Sequence, residues 1–406
     1  MSQRRIIVVG GGLAGLAVAS WLARDGAHVT VLERAKDIGG RARTRQSHGW
    51  SLNFGPHALY RAGAAAAGLA DLGIRPAGGV VPATGWLRQG GVLAPLPRTP
   101  LALLRSPLFS GSQRWSALRW LASVALPSRA AAGRTVTEWL APLPPRAQAF
   151  AHYLVRLSTY VHAPDELDAG IARRQVARAL KGVWYLHRGW ESLAGALRGT
   201  ATVAGAQIRT GADVVGATAN GVALAGGEAL PADAVVLAVP PTTARNLGAT
   251  VAPTTPVRAA CLDLGLASLP RPEARAVFDL DEPLYLSDHA PIARVAPAGG
   301  ATLHLLRYLS PGEEGSGMIE RLEAFADEIQ PGWRAQVRVR EEARALVVCH
   351  HLDRVGVPRT PVHTPEGLWL AGDWVEAGGA LLADAAIGSA RAVATALRGE
   401  GRRRIL

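Results

Sequence analysis

Apolar and polar positions along this chain follow two periods. Near the N-terminus the run Ile6-Ile7-Val8-Val9 enters Gly10-Gly11-Gly12-Leu13-Ala14-Gly15, and a second apolar run, 28–32, ends on Glu33. Short apolar runs bounded by glycine predict buried strands, and the residues between them, starting near Leu13, predict a helix. Residues 302–308 and 336–348 alternate with a period of two, which predicts strands of an antiparallel sheet. Between them Gly315-Ser316-Gly317 opens a helical stretch over 318–330, which Pro331-Gly332 ends. A helix is also predicted over 191–197, beginning after Trp190, and one of small residues over about 383–397.

A strand, G-x-G-x-x-G, a helix and a second strand closing on an acid together predict a dinucleotide-binding βαβ unit. Gly10, Gly12 and Gly15 let backbone approach a pyrophosphate. The free N–H groups near Leu13 and Ala14, with the helix dipole, favour its negative charge. Glu33, with Arg34 beside it, would accept the adenosine ribose hydroxyls, and its charge disfavours a 2′-phosphate. Arg4-Arg5 and the apolar stretch after them imitate a signal peptide. Four glycines break that stretch and Arg24-Asp25 follow it, so the segment reads as part of the folded unit.

Further segments narrow the cofactor. Gly39-Gly40-Arg41-Ala42-Arg43 lies just past Glu33, and Leu368-Trp369-Leu370-Ala371-Gly372-Asp373 precedes the small-residue helix. With these, the chain resembles the flavin-dependent amine oxidase and phytoene desaturase superfamily, closest to its phytoene desaturase-like branch. The resemblance implies FAD. It puts Gly40 and Arg41 along the pyrophosphate and ribityl region and Gly372 and Asp373 beside the ribityl and phosphate groups. It aims the helix beginning at Ala383 toward the flavin pyrimidine ring, where a helix N-terminus would stabilise charge on reduced flavin. Residues 205–215 resemble the strand whose valine backbone, here Val214, meets the adenine, and 232–241 resemble the return strand. The implied fold class is α/β: a Rossmann-like FAD-binding domain of glutathione reductase type in three segments, 1–62, 186–247 and 364–406. A substrate domain of mixed antiparallel sheet and helices, 63–185 and 248–363, is interleaved with it.

The same resemblance makes 53–60 the segment that passes the isoalloxazine. Asn53 stands where the family frequently has an acid. His57 would then lie beside the flavin, shuttling a proton or binding a substrate oxygen; the competing reading is a histidine that holds a loop. Tyr60 is the second catalytic candidate. Two departures argue against a straightforward amine oxidase. Its aromatic-cage position falls on Leu382, and neither lysine, Lys36 or Lys181, suits a place near flavin N5. An apolar flavin mouth suits a largely apolar, isoprenoid-like substrate, with reduced flavin passing electrons to oxygen or a quinone. The alternatives are an amine or protoporphyrinogen-type oxidase using oxygen, and a non-catalytic lipid carrier such as the GDP-dissociation-inhibitor relatives. No second dinucleotide fingerprint is present for NAD(P).

Composition adds bounds. The chain has 406 residues, 49% hydrophobic, enough for a full core. Cys261 and Cys349 offer neither a disulfide framework nor a metal pattern and fit a reducing, cytoplasmic setting as small buried side chains. His350-His351 with Asp353 could suggest ligands, but adjacent strand residues face opposite ways, so no metal is assigned. The net charge of +12 is carried almost wholly by arginine. It suits an anionic lipid surface; nucleic acid is not expected, because no binding module accompanies it. Residues 101–127 form an apolar helical insert too interrupted to span a membrane. It is either a buried hairpin over the substrate cavity or a monotopic patch on the inner membrane face.

Overall fold

The computed structural model describes residues 4–126 and 131–403. Its first element is a five-stranded, all-parallel sheet in the order Gln207–Thr210, His28–Glu33, Arg5–Val9, Ala234–Leu237, Trp369–Leu370. Both faces are covered, as an all-parallel sheet requires, and the period of two shows in the packing. Ile6, Val8, Val29 and Val236 pack against helices Leu13–Arg24, Glu191–Val203 and Leu382–Arg403. Ile7, Val9, Val235 and Leu237 face a small antiparallel sheet, Val214–Thr218, Gly221–Leu224 and Ala229–Pro231. The run 205–215 thus divides: its first half joins the parallel sheet, and Val214 begins the small one.

The second large sheet has seven strands in the order Val337–Cys349, Val257–Leu266, Ala301–Tyr308, Leu284–Asp288, Ala276–Asp279, Trp86–Gln89, Val92–Pro95. It is antiparallel except where Ala276–Asp279 meets Trp86–Gln89. The two alternating stretches and the helix Met318–Ile329 all form where the pattern predicts. Ile319, Leu322, Phe325 and Ile329 lie at i, i+3, i+6 and i+10. They bury that helix against Leu262, Leu264, Leu303 and Leu305 on one face of the sheet. The other face, with Cys261, Leu306 and Tyr308, turns toward helices Pro100–Arg105, Ser112–Ala125 and Pro145–Thr159.

The apolar insert is two helices, joined through a turn at Pro107 and Gly111. Ala117, Trp120 and Val124 bury one face of the second helix, whereas Trp115 on another face is 57% exposed. The insert thus buries one face over the sheet and leaves another to solvent. Among the described residues no helix is long and apolar enough to cross a membrane.

Candidate functional site

A cavity of about 700 Å³ runs between the carboxyl ends of the parallel strands and the inner face of the seven-stranded sheet. Most of the residues singled out above border it. At one end are the glycine turn and Glu33. Gly10 has φ +108°, and a Cβ there would lie 2.4 Å from the Ala238 carbonyl oxygen. Gly12 has nothing within 4 Å of a built Cβ, so the backbone there is open to a ligand. Leu13 and Ala14 begin the helix that follows, its first turn without a side-chain cap and facing the cavity. Gly15 does not border the cavity. Its Cβ would fall 2.0 Å from the Gly10 carbonyl oxygen, so its role is the close approach of helix to turn.

Glu33 has a second task that the sequence did not reveal. Its carboxylate accepts the Gly11 N–H at 2.7 Å and the Ala35 N–H at 2.8 Å, tying the end of the second strand to the glycine turn. Each oxygen keeps a lone pair for a further donor. Gly39 donates to the Gly11 carbonyl at 2.8 Å, which lays Gly40 and Arg41 along the same wall. Arg34 is exposed at the rim, and Val214 is buried at the start of its strand.

In the middle of the cavity Asp373 is buried and heavily partnered. Arg41 pairs with it at 2.8 Å while donating to the Val348 carbonyl at 2.7 Å. His350 donates its backbone N–H to it at 3.0 Å and sets its ring Nδ1 at 3.0 Å from the other oxygen. Burial alone would raise the Asp373 carboxyl, but Arg41 and His350 hold it well below the usual range. Gly372 donates to Ser389 Oγ at 3.0 Å, and Ala383 borders the cavity in the first turn of the C-terminal helix.

His350 and His351 do face opposite ways: His350 toward the cavity, His351 into the core, where neither ring nitrogen makes a hydrogen bond. Asp353 Oδ1 stands 3.9 Å from His351 Nε2, but its hydrogen bonds go elsewhere. Arg359 grips it with two bonds, 2.7 and 2.6 Å, and donates from Nη1 to the Asp373 carbonyl at 2.9 Å. Arg359 fixes the loop that carries Asp373, and no motif announced it.

At the far end His57 Nδ1 lies 2.9 Å from the Gly55 carbonyl. That bond requires the Nδ1–H tautomer and leaves Nε2 as an acceptor. Burial is the largest influence on His57 and lowers its pKa, so the ring is neutral at pH 7. Its ring is tilted against Trp190, centroids 5.1 Å apart. Gly55 is itself held from below: its N–H donates to Asp263 Oδ2 at 2.8 Å, and Asp263 Oδ1 pairs with His304 at 2.7 Å. His57 therefore both holds its loop and offers a free nitrogen.

Two expectations need correction here. Asn53 does not border the cavity; its Oδ1 accepts Thr44 Oγ1–H at 2.9 Å and the Trp190 N–H at 3.0 Å, fixing the start of helix Glu191–Val203. An amide suffices for that task. Tyr60 borders the cavity, but its hydroxyl is spent elsewhere. It donates to the Ser158 carbonyl at 2.6 Å, and burial pushes its pKa well up, so it is a poor proton donor to a ligand.

Tyr160, Cys261, Leu306 and Leu346 complete this end, from elements that carried no motif. Tyr160 ends its helix at φ +62°, which swings the ring into the cavity. Leu382, at the aromatic-cage position, borders the cavity at φ +55°, and neither lysine does. Asp384 is buried with one oxygen on the Ala65 N–H, and burial raises its pKa toward the neutral acid. Cys261 is likewise pushed well up by burial, an inert thiol.

Residues 8–71 match the NAD(P)-binding Rossmann-like domain family. With the parallel sheet and the glycine turn at its carboxyl edge, this defines a dinucleotide-binding Rossmann domain. The L-amino-acid oxidase of Crotalus adamanteus is 46% identical over 58 residues, a match that covers 14% of this chain and 11% of that protein's length. An oxidoreductase structure from Methanosarcina mazei superposes with a TM-score of 0.74 at 18% identity, covering 96% of this chain and 99% of that one. Wild-type putrescine oxidase bound to putrescine gives 0.72 at 17% identity, covering 98% and 99%. The chain shares its α/β fold with these solved structures.

Proposed function

We propose that the protein is an FAD-dependent oxidoreductase that removes hydride from a largely apolar small molecule. The observation that carries this reading is one continuous cavity, polar and glycine-lined at the Glu33 end and apolar at the Leu382 end. Its volume suits a bound cofactor. The open backbone at Gly12, the uncapped helix and Arg41 fit a pyrophosphate, Glu33 fits a ribose, Val214 an adenine, and Asp373 a ribityl chain.

When bound, FAD supplies hydride acceptance. The chain's own residues do the rest. The C-terminal helix aims its N-terminus, from Ala383, at developing negative charge. His57 Nε2 takes or returns a proton at the substrate. Leu382, Leu306, Leu346 and Cys261 exclude water and bind by buried area. Neutral His57 and an Asp384 shifted toward its neutral form leave no strong fixed charge at this end, which favours an isoprenoid-like substrate over a cationic amine. Oxygen or a quinone would accept the electrons.

The test is the absorbance spectrum of purified protein before and after anaerobic incubation with isoprenoids, amines and porphyrinogens. Bleaching of a flavin spectrum by an isoprenoid supports the proposal. Bleaching by an amine, with peroxide released in air, replaces the substrate class. A colourless protein that takes up no added FAD turns the reading toward a lipid carrier.

Two substitutions probe the assigned roles. Glu33→Ala removes the ribose acceptor and loosens the glycine turn. FAD titrated into deflavinated protein should bind about 30-fold more weakly, roughly 2 kcal/mol for charge-assisted hydrogen bonds; unchanged affinity removes Glu33 from the site. His57→Ala should slow flavin reduction about 100-fold, the lower end of general-base effects. Because its folded pKa is lowered, the base form persists as pH falls through the ordinary value of about 6.5. The wild-type reduction rate should hold through that pH and decline only below it. A half-maximal rate near pH 6.5 or above would assign the base elsewhere.

A further inference from the structure

Between Asp71 and Glu138 lie 66 residues without one aspartate or glutamate, and with eight arginines. At the chain's average acid content about five acids would fall there. Of the ten strongly exposed large hydrophobic side chains among the described residues, five are in this segment: Val80, Val92, Leu101, Trp115 and Leu126.

The structure arranges part of this segment into a face. On helix Ser112–Ala125 the positions Trp115, Arg119 and Ala122 follow one another at i, i+4 and i+7, and Leu126 ends the row; all four are exposed. The opposite positions Ala117, Trp120 and Val124 are buried. The adjoining helix Pro100–Arg105 repeats the pairing, with exposed Leu101 four residues before exposed Arg105. Among the described residues none of Arg98, Arg105 and Arg119 has an acidic partner. Arg173 donates to the Val124 and Leu126 carbonyls at 3.1 and 2.8 Å and anchors the end of the helix. On its inner side the same hairpin contributes Leu103, Phe109 and Ala117 to the apolar cluster that also holds Tyr160 and Leu306, which border the cavity.

We propose that the exposed face of helices Pro100–Arg105 and Ser112–Ala125 docks on an anionic lipid bilayer. A tryptophan and leucines interleaved with arginines suit the headgroup boundary. The guanidinium groups reach lipid phosphates while the apolar side chains enter the acyl region. Nucleic acid would satisfy the arginines but would leave Leu101, Trp115 and Leu126 in water. The packing of the inner side on the cavity wall makes the bilayer a route for an apolar substrate, a consequence that rests on the proposed function. The docking itself does not.

The test is co-sedimentation of the full chain with vesicles of phosphatidylcholine alone and of phosphatidylcholine with phosphatidylglycerol. Binding is expected to the second at low salt, with release in about 0.5 M salt, where surface charges are screened beyond a few ångströms. Arg105→Glu with Arg119→Glu should weaken binding at least about 30-fold, from about 1 kcal/mol lost at each arginine. Trp115→Ser should weaken it as well. All three side chains are exposed, and a thermal midpoint matching wild type confirms that the variants fold. The proposal is overturned by absence of binding at low salt or by charge-reversed protein that binds as wild type does. Tighter binding to a DNA duplex, unaffected by Trp115→Ser, also overturns it. None of these readouts depends on flavin, so they stand or fall apart from the oxidoreductase reading.

Discussion

Arg359→Ala is expected to destabilise the protein by about 3–5 kcal/mol, the usual cost of leaving one member of a buried ion pair alone. Arg359 and Asp353 are 6% and 4% exposed, and the guanidinium spends its remaining donors on the Asp373 and Val375 carbonyls. The substitution therefore strands a buried carboxylate and releases two backbone acceptors at once. Thermal or urea unfolding reads the loss directly. A second consequence separates this residue from a general structural arginine. The Asp373 loop should loosen, so flavin retention should fall more than unfolding alone accounts for. Arg359→Ala with Asp353→Leu should recover much of the stability, since an apolar pair of similar volume lacks the stranded charge, but should not restore the grip on the Asp373 carbonyl. A loss below about 1 kcal/mol in the single variant would show that the pair is solvated and that the loop is held by other contacts.

That pair marks a boundary of what the sequence discloses. The glycine turn, Glu33, the Gly39-Gly40-Arg41 segment and the strand before Asp373 were legible because their chemistry is local: turn, helix start and acid lie within a few residues of one another. The seven-stranded sheet was partly legible because alternation reports a half-buried strand without naming its neighbour. Arg359 and Asp353 are six residues apart in a loop with no period, and nothing in the spacing says that both are buried. Tyr160, Cys261, Leu306 and Leu346 come from four different elements and meet only through tertiary packing.

The corrections have the same origin. Asn53 and Tyr60 flank His57 in the segment 53–60 that the family resemblance lays along the flavin. In the structure Asn53 is turned to Thr44 and Trp190, while the Tyr60 hydroxyl is spent on Ser158. Proximity along a chain that doubles back over a sheet does not give direction. The helix Ser112–Ala125 was harder still, because its apolar residues cover more than one face and only packing decides which of them is buried. Trp120 and Trp115 differ by five positions, and the first is buried while the second meets solvent.

Gly15→Ala should be the most damaging one-methyl change in the Rossmann domain. The added Cβ would sit 2.0 Å from the Gly10 carbonyl oxygen and 3.2 Å from the Ala238 side chain. The near contact is backbone, which cannot rotate away. Gly10 cannot yield easily either: its own φ of +108° and the Ala238 carbonyl against its Cα already fix the turn. Relief requires the helix Leu13–Arg24 to move off the strand Arg5–Val9, and that helix is buried along almost its whole length. The expected cost is about 3 kcal/mol, at the upper end of overpacking. It should appear both as lower stability and as a loss of FAD affinity, because the same shift moves the N–H groups of Leu13 and Ala14. Gly12→Ala is the control. Its Cβ meets no protein atom within 4 Å, so stability should change by less than about 1 kcal/mol while FAD affinity falls, the methyl group occupying ligand space. If Gly12→Ala bound FAD as wild type does, the cofactor would not pass this turn. If Gly15→Ala were neutral, the helix would have freedom that its burial denies.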